Sequence, residues 1–481
     1  MLLYLPLDDR PPNLFFVVLL AAMAGQSLCI WPRYDNGAAR WATTSPARTD
    51  LASLVVSNQT GTPLISLNAL AAGGLVGSRR IDARTLGVPH LPSTGLYLFV
   101  VPRIEPTSQD DATKEAYHDL RNALGDQVTQ LKVVDVLTGK EPVTSLGDPH
   151  LRDWVGRTEG WFRWLEACQI PQDRLLVLMD DNRPGPLGDY IRERYGWLSS
   201  SVIDGADEGG LLLYARALWE ERGRPPLELG LLYSSPGRTH DRGRYEGLPL
   251  DEVLARQAAW LGVRLVPVAE TAKTTPVLLI HNWDVKQGDR HDVNEWNPNP
   301  LGDDIPDLLR RVEGRAVGIA DIAYANGGDP VFAVPIHEAW KAGELDLRAY
   351  AGWNTAANSL GSALALLVVD QLTEETPKEN QIRDEFITAR FLDDVVYQSD
   401  LRQEMEATLR DRHADPWHLN EVQLAGLETT MTQRLLDEAV TDGYLAIPEQ
   451  WGLHLPWQRT FEASITTPWL RQVFRDTQEC D

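Results

Sequence analysis

Among the pairs of adjacent acids in the chain, four stand out as candidates for chemistry: Asp8-Asp9, Asp180-Asp181, Asp207-Glu208 and Asp303-Asp304. Two neighbouring carboxyls in a cleft do not both ionise cheaply. One is pushed to keep its proton while the other stays charged, so a like-charged pair can become an acid and a counter-charge. The settings differ. Asp303-Asp304 opens a helical run, where acids complement the dipole, and reads as capping. Asp207-Glu208, in DGADEGG, also opens a helical run, but the glycines around it suit close backbone packing and keep it a candidate. Asp8-Asp9 carries its own counter-ion in Arg10. Asp180-Asp181 ends the apolar run RLLVLMDDNRPGP with only Arg183 beside it.

Glycoside hydrolysis divides labour between two carboxyls. The usual retaining and inverting schemes set them on opposite sides of the sugar, which adjacent residues do not easily reach. Substrate-assisted glycosidases need no protein nucleophile. There the 2-acetamido oxygen attacks the anomeric carbon, one carboxylate orients the amide, and its neighbour protonates the leaving oxygen. Two acids side by side after a strand suit that scheme.

Other polar residues gather where apolar runs end: PLDDRPPN, SLNALAAGG, VPRIEP, MDDNRPG, YSSPGRTHD, IHNWD, ADIAYANGG and GWNTAANS. Turns favour the same residue types, so the pattern counts as a set rather than singly. Trp283, Trp296 and Trp353 each stand beside an asparagine, Asn282, Asn297 and Asn354. Sugar faces stack on aromatics and sugar hydroxyls pair with amides and carboxylates; the competing reading is that these indoles fill core. The expected sugar-holding set is Asp8, Asp9, Arg10, Asn68, Arg103, Asn182, Asp207, Glu208, Asn282, Trp283, Asp284, Trp353 and Asn354, around Asp180 and Asp181 as the catalytic pair.

The elements that must position these residues read as short apolar strands alternating with amphipathic helices. Strands are expected at 2–7, 62–67, 96–101, 175–179, 228–233, 276–281, 316–321 and 347–353, with 28–31 and 263–268 as further short runs. Near-continuous apolar strands alternating with helices mean a parallel sheet covered on both faces. Eight good strands favour an α/β fold of the (β/α)8 TIM-like barrel type over an open doubly wound sheet, with chemistry at the strand ends. Residues 1–374 form the expected catalytic domain. Residues 375–481 read as an α-helical C-terminal region, a candidate wall of the site through Trp451, Trp457 and Arg459, or a dimer contact. LFFVVLLAAMAG (14–25) is too short to span a bilayer and follows two aspartates rather than a basic stretch. It reads as a buried helix capped by Asn13.

Composition removes several function classes. The chain has 481 residues, a net charge of −24 and 43% hydrophobic residues. Nucleic-acid binding needs a basic footprint that is absent here, and an anionic membrane is disfavoured likewise. Three scattered cysteines, Cys29, Cys168 and Cys480, argue against a disulfide framework and fit a reducing cytoplasm.

MDDN after the fourth strand resembles the adjacent Asp-Asp or Asp-Glu pairs of barrel-type β-N-acetylhexosaminidases and O-GlcNAc hydrolases. That resemblance implies that Asp180 orients the acetamido group and Asp181 is the acid/base. YLPLDDRPPN, LLVLMDDNRPGPLG, GADEGGLLLYARAL and AGWNTAANSLGSALA resemble the hallmarks of a bacterial family catalogued as a domain of unknown function, which implies a glycan-active enzyme, with N-acetylgalactosamine as one substrate direction. The expectation is an exo-acting glycosidase without a cofactor, whose partner is a saccharide ending in N-acetylhexosamine, with homo-oligomerisation left open. The alternatives are a metal-dependent hydrolase, using Asp8, Asp9, His240, Asp241, His281, Asp284, His291 and Asp292, and a non-catalytic saccharide binder. HExxH, GxxxxGK[ST], a post-strand GxGxxG and GxSxG are all absent. YSSPGRTH places Ser234 and Ser235 near His240, which a turn explains as well.

Overall fold

The apolar runs form strands buried along nearly their whole length, and prolines and glycines stop them. A computed structural model of the chain describes residues 2–30, 61–79, 81–103, 122, 124–180, 184–291, 304–445 and 448–476. The chain packs as two units: Met1–Asp8, Cys29–Leu213 and Tyr245–Leu248 in the first, and Asp9–Leu28, Tyr214–Arg244 and Pro249–Asp481 in the second.

The first unit is built on β1 (Leu2–Leu5), β2 (Leu28–Ile30), β3 (Leu64–Ser66), β4 (Leu96–Val101), β5 (Leu175–Met179) and β6 (Ser201–Asp204). They lie in the order β2-β1-β3-β4-β5-β6, and the pairs from β1–β3 to β5–β6 are parallel. The helix Pro149–Cys168 shows how locally the covering helices are specified. Asp148 accepts from the backbone N–H groups of His150 and Leu151, Pro149 fits the first turn, and Gln169 ends the helix at φ +51°. Its Trp154, Trp161 and Leu165 are buried at helical spacing, and Trp161 packs on Phe99 of β4.

The second unit contains β7 (Leu227–Tyr233), β8 (Val263–Pro267), β9 (Val277–His281), β10 (Gly288–Asp289), β11 (Ala316–Asp321), β12 (Tyr324–Ala325) and β13 (Asp346–Ala351). Five make a parallel sheet in the order β13-β11-β9-β7-β8, while β10 pairs with β12. Numbered from its own first strand, each sheet contains the order 2-1-3-4-5, the winding of flavodoxin-like open sheets. In such sheets ligands bind beyond the carboxyl ends of the strands, where the winding reverses.

The α/β class with parallel sheets therefore stands. The described ladders form sheets of six and five strands and do not close a ring of eight. The eight apolar runs do not include β6, whose short SVID run carries little apolar signal, and β2 and β8 are short runs as well.

After residue 374 the described chain is mainly helical. Pro377–Arg390, a π-helical segment Phe391–Leu401 and Arg402–Asp411 follow without a break, then Glu421–Thr441. The tail adds an antiparallel pair, β14 (Gly452–His454) with β15 (Ser464–Thr466). These helices share one apolar core with the second sheet: Ile387, Phe391 and Leu435 cluster with Leu279, Ile319 and Tyr350. The boundary at 374 thus falls inside the second unit.

The helix Phe15–Met23 is buried throughout, but Leu14 occupies the cap position with no side-chain bond, so Asn13 is not the cap. Asp304 precedes the helix Ile305–Val312 without making a cap bond, and Asp303 lies outside the described residues. Cys168 has a free thiol. Among the described residues no helix is long and apolar enough to cross a membrane.

Candidate functional site

In the first unit the acids sit just beyond the ends of β5 and β6. Asp180 follows Met179 and its Oδ2 accepts from Arg79 Nη2 at 2.7 Å, with both side chains largely covered. Asp181 and Asn182 lie outside the described residues. Asp204, the last residue of β6, is consumed structurally. Its Oδ1 accepts from Arg192 Nη2 at 2.8 Å, and its Oδ2 takes the backbone N–H groups of Gly247 and Leu248 at 2.6 and 2.7 Å.

Gly205 comes next at φ +129°, and a Cβ there would stand 2.0 Å from Glu208 Oε1. Only glycine permits both that backbone and that approach. Glu208 is fully buried. Its Oε2 accepts from the Ala206 N–H at 3.0 Å, while Oε1 has no partner among the described residues. Burial, reinforced by the charges of Asp207 and Glu246, holds the Glu208 carboxyl well above the ordinary glutamate value, against the lowering by backbone N–H groups. Asp207 is also buried, and the helix Gly209–Glu221 starts directly after the pair.

Other expected residues of this unit are less available. Asn68 spends its amide on the scaffold: Nδ2 donates to Ser78 Oγ and the Val100 carbonyl at 3.0 and 2.8 Å, and Oδ1 accepts from the Val100 N–H at 2.8 Å. It ties the turn after β3 to β4 and is better read as a brace than as a substrate ligand. Asp8 is buried beyond β1, and Arg103 is half-buried just past β4.

The second unit holds the remaining expected residues. Asp9 Oδ1 accepts from Trp457 Nε1 at 2.7 Å, and the Arg10 guanidinium lies 4.6 Å above that indole. Trp457 of the tail thus orders two of the named residues. Trp283 and Trp353 are almost wholly covered, so the indoles serve as core rather than as open stacking faces. Asp284 is exposed, and its carbonyl accepts from Arg238 Nε at 2.6 Å. Asn354 takes φ +71° and its carbonyl accepts from the Asn326 N–H at 2.9 Å.

Asn282 has a positioning role. Its Oδ1 accepts from the Ser235 N–H and its Nδ2 donates to the Ser235 carbonyl, both at 2.9 Å. That amide prolongs the β7–β9 pairing past the strand ends and sets Ser234 beside His281. Ser234 Oγ stands 3.2 Å from His281 Nδ1, and His281 Nε2 stands 3.0 Å from Asp329 Oδ2. His240, the expected neighbour, is exposed and pairs with Asp251 instead. The signal for His281 was present, since Ser234 and His281 each sit at the end of an apolar run, but only the strand order makes the runs neighbours.

A buried acid cluster adjoins these residues and also escaped the sequence reading. Asp321 Oδ2 accepts from Tyr350 Oη at 2.8 Å and from the Asp329 N–H at 2.9 Å, while its Oδ1 has no partner among the described residues. Burial, with Asp329 adding to it, pushes Asp321 up to about 6. Asp394 lies in the π-helical segment. Its Oδ2 takes the Gly352 N–H at 2.6 Å and Arg390 Nη2 at 2.7 Å. Asp393-Asp394 is a further adjacent pair, hidden from the sequence reading because it lies mid-helix rather than at a strand end. Among the described residues no group of three or more His, Cys, Asp or Glu side chains is arranged to hold a metal ion.

Comparison with known proteins gives one family match. The model described as "Protein of unknown function (DUF4127)" matches residues 2–132 and 171–466. No curated protein and no solved structure matches the chain.

Proposed function

The chain belongs to the DUF4127 family, and from that premise we propose that it is a glycoside hydrolase acting on a terminal N-acetylhexosamine, with Glu208 as proton donor and Asp207 orienting the 2-acetamido group. The observation that carries this reading is the Glu208 carboxyl itself: buried, pushed by that burial well above the ordinary glutamate value, with Oε1 unpartnered among the described residues, next to a second acid beyond a parallel strand. A general acid needs a raised pKa of this kind. Asp180, paired with Arg79, then takes the role of holding sugar hydroxyls. A closed barrel is not required, because doubly wound sheets and barrels both keep their chemistry at the carboxyl ends of the strands.

The reaction balances without a protein nucleophile. The acetamido oxygen bonds to C1 as the glycosidic C–O bond breaks, and the Glu208 proton passes to the leaving oxygen. Water then attacks C1, gives its proton to Glu208 and reopens the oxazoline ring. Aryl N-acetyl-β-hexosaminides are the test substrates. On aryl glycosides with poor leaving groups Glu208→Gln and Asp207→Asn are expected to lower kcat by about 10²–10⁴, while Asp180→Asn acts mainly on KM. Plain β-galactosides should react poorly, since they lack the nucleophilic acetamide. Absence of turnover by the wild type on every aryl glycoside, or full activity in both pair variants, would overturn the proposal. Equal rates on the two sugar types would instead require a protein nucleophile.

A further inference from the structure

The ends of β7 and β9 carry a second constellation that the glycosidase reading leaves unused. In the five-stranded sheet these strands flank the point where the winding reverses, the place where open sheets of this order bind ligands. Ser234 follows β7, His281 ends β9, and Asp329 caps the helix Pro330–Lys341. From this geometry we infer that Ser234, His281 and Asp329 form a serine acyl-transfer centre that hydrolyses carboxylic esters.

Three features support it. The hydroxyl-to-imidazole and imidazole-to-carboxylate distances, 3.2 and 3.0 Å, are those of a nucleophile, its base and the group that orients the base. The imidazole is fully buried and stacks on Phe332 at 3.9 Å with 15° between the rings, so its orientation is set by packing as well as by Asp329. Asp329 is itself fixed. Its Oδ1 accepts from the Val331 N–H at 3.1 Å, and its own N–H donates to Asp321 Oδ2 at 2.9 Å. Ser234, by contrast, is only half-buried, as a group that must meet a substrate has to be.

The Ser234 hydroxyl is held but not used up. Its oxygen accepts from the Asn282 N–H at 3.0 Å, and its hydrogen faces His281 Nδ1, the Asn282 carbonyl and Asn282 Oδ1 at 3.2, 3.2 and 3.3 Å. One lone pair remains for attack. Ser234 Oγ bonds to the ester carbonyl carbon while its proton passes to His281 Nδ1. The tetrahedral oxyanion collapses, the alkoxide leaves, and His281 returns the proton to it. Water then cleaves the acyl-serine by the same route, freeing the acid and restoring the hydroxyl. Asp329, which does not reach the substrate, is a positioning residue that keeps the Nε2–H tautomer and leaves Nδ1 as the base.

The test uses the full chain and two probes, a fluorophosphonate and p-nitrophenyl acetate. Peptide mapping of the folded wild type is expected to find the phosphonate on Ser234, and the acetate ester to release a burst of one p-nitrophenol per chain. Ser234→Ala should abolish both in a chain that still unfolds in one cooperative thermal transition. Asp329→Asn keeps an acceptor for the Val331 N–H, so it should preserve the fold and KM yet slow labelling and kcat by about 10²–10⁴. A folded wild type that takes no phosphonate at Ser234 overturns the proposal. So does Asp329→Asn labelling at the wild-type rate, which would leave the three residues a structural brace.

Discussion

Glu208 is the residue whose environment departs furthest from what its neighbours in sequence suggest. DGADEGG shows an acid pair among glycines, and two of those glycines have identifiable tasks. Gly205 makes room for the carboxyl, and Gly209 sits against Leu98 and Leu178, where a Cβ would come within 2.7 Å of Leu98. The consequence is a pH dependence of stability with a definite sign. The folded carboxyl titrates above its unfolded value of about 4.5, so the folded state binds more protons in the window that opens there. Stability therefore falls as pH rises from about 4.5 toward the folded pKa. Glu208→Gln cannot titrate. Its melting temperature, relative to wild type, should climb as pH rises through that window in thermal scans; a constant difference would mean that Glu208 ionises normally. At this scale the acids themselves were legible in the sequence, but which acid is buried was not. That depends on Gly205 folding the chain back over Glu208, a long way from any composition or periodicity signal.

Elements were more legible than residues. LYLFVV, LLVLM and AVGIAD form β4, β5 and β11 over the same residues that the apolar runs mark, because a strand covered on both faces needs an unbroken apolar run. SVID was unread because it is short and ends in Asp204, whose carboxylate finds its partners in Arg192 and a loop more than forty residues ahead. The helical run from 377 to 411 was visible by composition, yet its π-helical stretch was not. There Arg390 Nη2 meets Asp394 Oδ2 at 2.7 Å with both side chains out of solvent. Removing one member of a buried ion pair strands the other charge, which costs about 3–5 kcal/mol. Arg390→Met should therefore lower the unfolding free energy by roughly that amount in urea titrations. A loss under 1 kcal/mol would contradict the reading of Arg390 and Asp394 as a buried ion pair.

At the scale of the molecule, strand number alone did not distinguish a barrel from open sheets, because both are built from the same repeating unit. The distinction lies in which strands pair, and the β1–β3 and β7–β9 pairings set it in each unit. The same pairings decide what meets at each switch point, which is why Ser234 and His281 come together although 47 positions separate them. The most direct test of the central assignment is the leaving-group dependence of Glu208→Gln on aryl N-acetyl-β-hexosaminides. A variant without its proton donor should hydrolyse 2,4-dinitrophenyl glycosides at near wild-type rates, and should slow progressively as the phenol becomes less acidic, by about 10²–10⁴ for the poorest leaving groups. If Glu208→Gln loses the same factor on every leaving group, or none on any, Glu208 is not the acid.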